Sequence, residues 1–171
     1  MKFSSLNRTT HKWASVIIAL PLLLVIITGI LLLVRKEFAV LQPPTQKGIA
    51  QQPTLPFEAI LAKTSEVKEA NVTTWQDIDR LDIRPNKGVI KVRTKSSWEV
   101  QLDADTGEIL HVAYRNSELI ESLHDGTFFQ DNANLWLMLP VAIALLLLWL
   151  TGMYLFFLPY FKRWRRNKLA N

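Results

Sequence analysis

The chain contains no cysteine. This excludes disulfides, thiolate metal centres, thiol nucleophiles, iron–sulfur clusters and covalently attached haem. Acid is missing from both ends, since all 15 Asp and Glu residues lie between positions 37 and 131. Charge of either sign is missing from two long runs, residues 13–34 and 132–161, so an ion or proton path across a bilayer lacks its usual marker. Gly-rich phosphate loops, zinc-protease helices and nucleophile elbows do not occur. Asp77, Asp79 and Asp82 form one acidic cluster and Asp103 with Asp105 another, but neither has the glycine and terminal glutamate of a calcium loop. The sequence carries no hydrolase signature and no nicotinamide or flavin fingerprint.

What is present begins with those two runs. Each is long enough to cross a hydrocarbon core of roughly 30 Å as a helix, so the chain forms a hairpin through a lipid bilayer. The tails outside the runs hold only basic residues, Lys2, Arg8 and Lys12 at one end and Lys162, Arg163, Arg165, Arg166 and Lys168 at the other. They carry +8, which against a chain total of +5 leaves −3 for the middle. The positive-inside rule then puts both termini in the cytoplasm and the middle outside. The basic excess is a topology signal with some attraction to anionic lipid, not a nucleic-acid footprint. The first run exceeds the apolar core of a cleaved signal peptide and is followed by Arg35, Lys36 and Glu37, which fits an uncleaved anchor. Trp13, Trp136, Tyr160 and Trp164 stand where aromatic rings settle at membrane surfaces.

Between the runs, residues 35–54 are rich in Pro and Gln and read as a spacer. Residues 55–70 place Phe57, Ile60, Leu61 and Val67 on one helical face, with Pro56 suited to the first turn and Thr54 to the N-cap. Residues 73–83 predict a strand ending before Pro85. Alternation predicts two half-buried strands, 89–95 with Ile90, Val92 and Thr94 on one face, and 98–103 with Trp98, Val100 and Leu102. Asp103 to Gly107 reads as a turn, followed by a returning strand with Leu110, Val112 and Tyr114 inward. The opposite face presents Lys91, Arg93 and Lys95 beside Glu99, Gln101 and Asp103. It reads as cross-strand charge pairing more readily than as a platform for an anionic ligand. A helix laid on such a sheet gives a small α+β domain.

The run from Trp98 through Asp103-Ala104-Asp105-Thr106-Gly107 to Leu110, preceded by a helix and strands, resembles the PepSY domain. His11-Lys12-Trp13, Pro21 and Thr28-Gly29 resemble the first helix of the PepSY-associated transmembrane family. Leu123-His124-Asp125-Gly126 and the second run with Thr151-Gly152 resemble its Leu-His-x-Gly element and second helix. The resemblance covers nearly the whole chain. It implies a membrane protein of two transmembrane α-helices, in a hairpin flanking a small α+β PepSY-like periplasmic domain, in a bacterial inner membrane. Residues 1–12 are then a cytoplasmic tail, 13–34 the first span, 35–54 the spacer, 55–116 the periplasmic domain, 117–131 an interfacial segment, 132–161 the second span and 162–171 a basic cytoplasmic tail.

The resemblance implies two functions of different kinds. Larger members, with four or more spans and further histidines, are associated with iron acquisition and resemble b-haem membrane reductases that pass electrons to ferric siderophores. Soluble PepSY domains resemble propeptide modules that bind or inhibit peptidases. The first makes this chain a haem b electron-transfer subunit with His11 and His124 as candidate axial ligands of the iron. The second makes it a tethered periplasmic ligand-binding or peptidase-regulating module without a cofactor. His11 and His124 flank opposite ends of the hairpin and cannot share one iron, so a homodimer or a partner in a larger membrane complex has to supply the second ligand.

The plain readings stand beside these. His11 next to Lys12 and Trp13 suits an ordinary interfacial residue, and His124 an irregular segment on the headgroups. His111 reads as a solvated strand residue. The stripe of Leu119, Ile120, Leu123, Phe128 and Phe129 suits the membrane interface and packing on the sheet equally. Thr28-Gly29 and Thr151-Gly152 suit close helix packing before they suit room for a flat cofactor, and Pro21 and Pro140 mark kinks.

Overall fold

The structure is a computed structural model that describes residues 3–170. Residues 31–120 form one compact unit, and residues 1–30 with 121–171 form a second.

The second unit is built on two long helices, α1 (Phe3–Val34) and α4 (Leu139–Ala170). Leu6–Val34 and Asn134–Arg166 are long and apolar enough to cross a membrane. Their large side chains point outward, with Leu20, Trp136 and Trp149 well exposed, as expected of surfaces solvated by lipid rather than water. A wide π-helical turn, Asn134–Met138, leads into α4. It ends two residues before Pro140, whose ring nitrogen has no hydrogen to continue the α-helical ladder. Ahead of it, α3 (Asn116–Asp125) crosses the boundary between the units and stops at Gly126, φ +84°. The expected interfacial segment is therefore helical over its first part.

The first unit holds α2 (Phe57–Ser65) and an antiparallel sheet of β1 (Ile78–Arg84), β2 (Val89–Thr94), β3 (Trp98–Asp103) and β4 (Ile109–Tyr114), in that order. The expected helix over 55–70 is shorter than its periodicity suggests. Pro56, not Thr54, is the N-cap, and Thr54 bonds Asp105 instead. Residues Lys68–Ala70 form a separate 3-10 turn ended by Asn71 in the left-handed region. On the sheet's apolar face Ile90, Val92, Val100 and Leu102 close with Ile60, Val67, Ala70 and Val72 into the core. β4 departs from the expected alternation. A bulge opposite Gln101 and Leu102 pairs Ile109 with Leu102 and His111 with Gln101, so Ile109, not Leu110, joins Val112 against the core.

The other face overturns the half-buried expectation. Lys91, Glu99, Gln101 and Asp103 are each at most 1% exposed. They are covered by the stretch read as a spacer, which is laid across the sheet and does not run free. Gln101 donates from Nε2 to Pro44 O and accepts Gln46 N–H, both at close to 2.9 Å or less. Asp103 Oδ2 accepts Ile49 N–H at 2.7 Å. Polar strand residues thus satisfy a segment too poor in regular structure to satisfy itself. The approach is close. A Cβ on Gly88, itself at φ +61°, would lie 2.3 Å from Ala50 O, and one on Gly48 would lie 2.2 Å from Gly88 O.

Charge is sealed under this cover. Glu99 binds Lys91 Nζ at 2.9 Å and also the guanidinium of Arg115, which continues to Glu118 at 3.0 Å. Burial lowers the Lys91 pKa, and the bond to Glu99 opposes the shift. Burial would raise the Asp103 carboxyl, but N–H donors of Thr106, Asp105, Ile49 and Ala50 outweigh it and hold the pKa at about 2. The Asp103 turn with Gly107 at φ +72° forms as its sequence predicts, Oδ1 accepting from Asp105 and Thr106. Asp77 closes a capping box at Thr74, and the N–H groups of Thr73 and Thr74 bring its pKa to about 2.

Candidate functional site

His11 and His124 occupy equivalent environments in the helical unit. His11 Nδ1 lies 2.8 Å from Thr151 Oγ1, and His124 Nδ1 lies 2.9 Å from Thr28 Oγ1. His11, in the first turns of α1, is docked on the Thr-Gly pair of α4, and His124, ahead of α4, on that of α1. The glycines make the docking possible. A Cβ on Gly29 would stand 3.3 Å from His124 Cε1, and one on Gly152 would stand 3.3 Å from His11 Cε1, so Cε1 of each ring rests over a glycine. Each Thr-Gly pair is in contact with an imidazole and serves as its seat.

The threonines fix the tautomer. A helical threonine at positions such as these returns its hydroxyl hydrogen to a carbonyl one turn back. Thr28 Oγ1 does so to Leu24 O at 2.7 Å, and Thr151 Oγ1 to Leu147 O at 2.8 Å. With its one hydrogen used, each hydroxyl oxygen is left as an acceptor for the histidine, an arrangement that in a neutral imidazole selects the tautomer with hydrogen on Nδ1 and a bare lone pair on Nε2. This is the arrangement in which an outer hydrogen bond orients an imidazole for a metal.

His124 lines a cavity of about 180 Å³ whose other walls are Leu22, Val25, Met138, Val141, Ala142 and Leu145. Thr28 and Thr151 are 17 and 27 residues downstream of the two histidines, and along α1 the interval from His11 to Thr28 is about 25 Å at the helical rise. The histidines are therefore kept apart, as expected, near the two ends of the unit. His124 nevertheless docks at a position six residues before Val34, well inside the apolar run, and not at its outer limit. No group of three or more His, Asp or Glu side chains gathers for a metal ion among the described residues. His111 is half-buried on the polar face opposite Gln101 rather than solvated.

Sequence reasoning singled out both histidines and both Thr-Gly pairs but did not join them. The signal was there in the duplication, since each apolar run contains a Thr-Gly pair in its second half and each is preceded by a histidine.

Two long apolar helices, joined through a small antiparallel sheet domain and carrying two histidines seated on each other's spans, define a membrane protein. The chain belongs to the family described as the PepSY-associated TM region, whose model matches residues 8–170. No curated protein and no solved structure matches the chain.

Proposed function

We propose that this protein is a small transmembrane electron-transfer subunit that holds b-type haem through His11 and His124. The observation that carries the reading is the pairing of each imidazole with a threonine whose hydrogen is already committed, because it leaves Nε2 bare and oriented. The donor set suits haem iron, for which imidazole is a standard axial ligand, and the walls beside His124 are apolar. Bound there, haem supplies one-electron chemistry. The chain's part is to fix the tautomer, orient the ring and keep water from the ligand nitrogen.

The cavity beside His124 is smaller than a porphyrin, and one chain offers one imidazole at each level. We therefore assign the second ligands to another copy, in a homodimer or larger membrane complex. The basic tails favour both termini on the cytoplasmic side and the sheet domain on the far side, and the family favours a bacterial inner membrane, with the sheet domain then periplasmic. With haem held at both levels, the chain would offer an electron path from the His11 level outward to the His124 level, toward an acceptor of the ferric-siderophore class in iron acquisition. No flavin or nicotinamide site is assigned to this chain, so the donor is a separate protein. The competing reading, a cofactor-free tethered module for a ligand or peptidase, loses its broadest platform because residues 44–50 already occupy the sheet's polar face.

The test is a reduced-minus-oxidised spectrum of detergent-purified protein from haem-replete cells, with haem quantified per chain. A b-type signal that falls by half in each of His11→Ala and His124→Ala supports the assignment. Folded, colourless protein overturns it in favour of the tethered module.

A further inference from the structure

The sheet domain carries a second feature that the histidines do not explain. Lys36, Arg84 and Lys87 converge on a cavity of about 300 Å³ whose remaining walls are Gln42, Pro43, Pro44 and Thr45. No acidic residue lines it. Arg84 spends Nε and Nη2 on Asp82, at 3.0 and 2.7 Å, which anchors the guanidinium. Lys36 and Lys87 have no ion-pair partner among the described residues. Asp82 offsets the charge of Arg84, while no ion pair offsets Lys36 or Lys87 among the described residues, so the concavity keeps a net positive charge. Elsewhere in this domain buried cations are matched, as Lys91 and Arg115 are by Glu99.

The walls are stiff as well as charged. Pro43 is buried and Pro44 is held through its carbonyl by Gln101, while Lys87 precedes Gly88, which the strap formed by residues 42–52 contacts at close range through Gly48 and Ala50. The concavity is thus prepared before any ligand arrives. Gln42 Oε1, on the same wall, is buried without a hydrogen-bond partner among the described residues. Position adds the last element. Lys36 stands two residues beyond Val34, the end of α1, and so within about 7 Å of it by chain length. Where α1 spans a bilayer, Lys36 lies at the height of the headgroups.

We propose that this cavity is a phosphate site, taking the phosphate of an anionic lipid headgroup or of a small soluble phosphate ester. Its volume admits a phosphate with a short polar substituent, while acyl chains would remain outside. Two lysines act as point charges and the Asp82-anchored Arg84 as the oriented donor.

The experiment uses the full chain in detergent and compares wild type with Lys36→Gln, Lys87→Gln and their double variant. A Lys68→Gln, Lys95→Gln double variant matches the charge change at exposed positions away from the cavity. One arm counts retained phosphatidylglycerol against phosphatidylcholine by native mass spectrometry. The other titrates glycerol 3-phosphate calorimetrically at low salt. Selective retention of phosphatidylglycerol, weakened roughly tenfold to thirtyfold in the double variant and not in the control, supports the site with lipid as its source. Binding of glycerol phosphate with the same variant dependence supports it with a soluble source. Should the double variant not fold, the single variants carry the comparison. Wild type that binds neither probe, or equal loss in the control variant, overturns the proposal.

Discussion

Lys91 Nζ lies 2.9 Å from Glu99 Oε1 with both side chains closed to solvent, and Arg115 binds the same carboxylate from the start of α3. One anion thus holds two buried cations. Removing a single partner from such a group is costly because the remaining charges are left unmatched in a poor solvent. Glu99→Gln should destabilise the sheet domain by about 3–5 kcal/mol. The Lys91→Met, Glu99→Leu pair should cost less than Glu99→Gln alone. Chemical denaturation of the detergent-solubilised protein, followed by the fluorescence of Trp75 and Trp98, tests the ranking.

Acid should loosen the strap before it unfolds the helices. Asp103 is held at about 2 in the fold against an ordinary value near 3.9. The unfolded chain therefore binds the proton first, and the stability this carboxylate contributes is complete above about pH 4 and lost as pH falls through about 2. The contribution is about 2 kcal/mol. Thermal melts by circular dichroism between pH 5 and pH 2 should show a falling midpoint, with a shallower slope in Asp103→Asn.

The histidine tautomers are measurable without any cofactor. Nitrogen NMR of 15N-histidine-labelled protein should give His11 and His124 a protonated Nδ1 and a bare Nε2. Thr28→Val keeps the shape of the side chain and removes the acceptor, so the His124 pattern should move toward an even mixture while His11 stays. A His124 pattern unaffected by this change would sink the seating argument.

Gly88 is the point where strap and sheet meet. Any side chain there is opposed both by φ +61° and by Ala50 O at 2.3 Å. Gly88→Ala should lower stability by about 2 kcal/mol or more and expose amides of residues 46–50 to faster hydrogen exchange. Exchange rates at those amides equal to wild type would contradict the close approach.

Much of the architecture was legible because it depends on local pattern. The uncharged runs, the alternation through β2 and β3, and the Asp103 turn each follow from neighbours within a few residues. What was hidden depends on distant partners. Residues 42–52 look like a spacer by composition, since their role is carried by backbone N–H groups that meet Gln101 and Asp103 more than 50 positions away. The bulge that turns Ile109 inward shifts the face of β4 by one residue, which alternation alone cannot register. Cross-strand charge pairing on this face was expected without individual partners; the register sets Lys91 opposite Gln101 and Arg93 opposite Glu99, so the buried Lys91–Glu99 bond runs diagonally between strands. Both histidines were found as residues and missed as a pair of reciprocal seats.

That reciprocity has a mechanical consequence. α1 and α4 run antiparallel; His11 of α1 is pinned on Thr151 of α4, and His124, at the end of α3 ahead of α4, is pinned on Thr28 of α1. Sliding α1 by a single turn of 5.4 Å breaks both bonds together, and rotating α1 about its axis carries His11 and Thr28 away from their partners. Two fasteners set far apart resist such motions better than two set side by side, so the histidines work as registration marks that hold the helices in one alignment along their length.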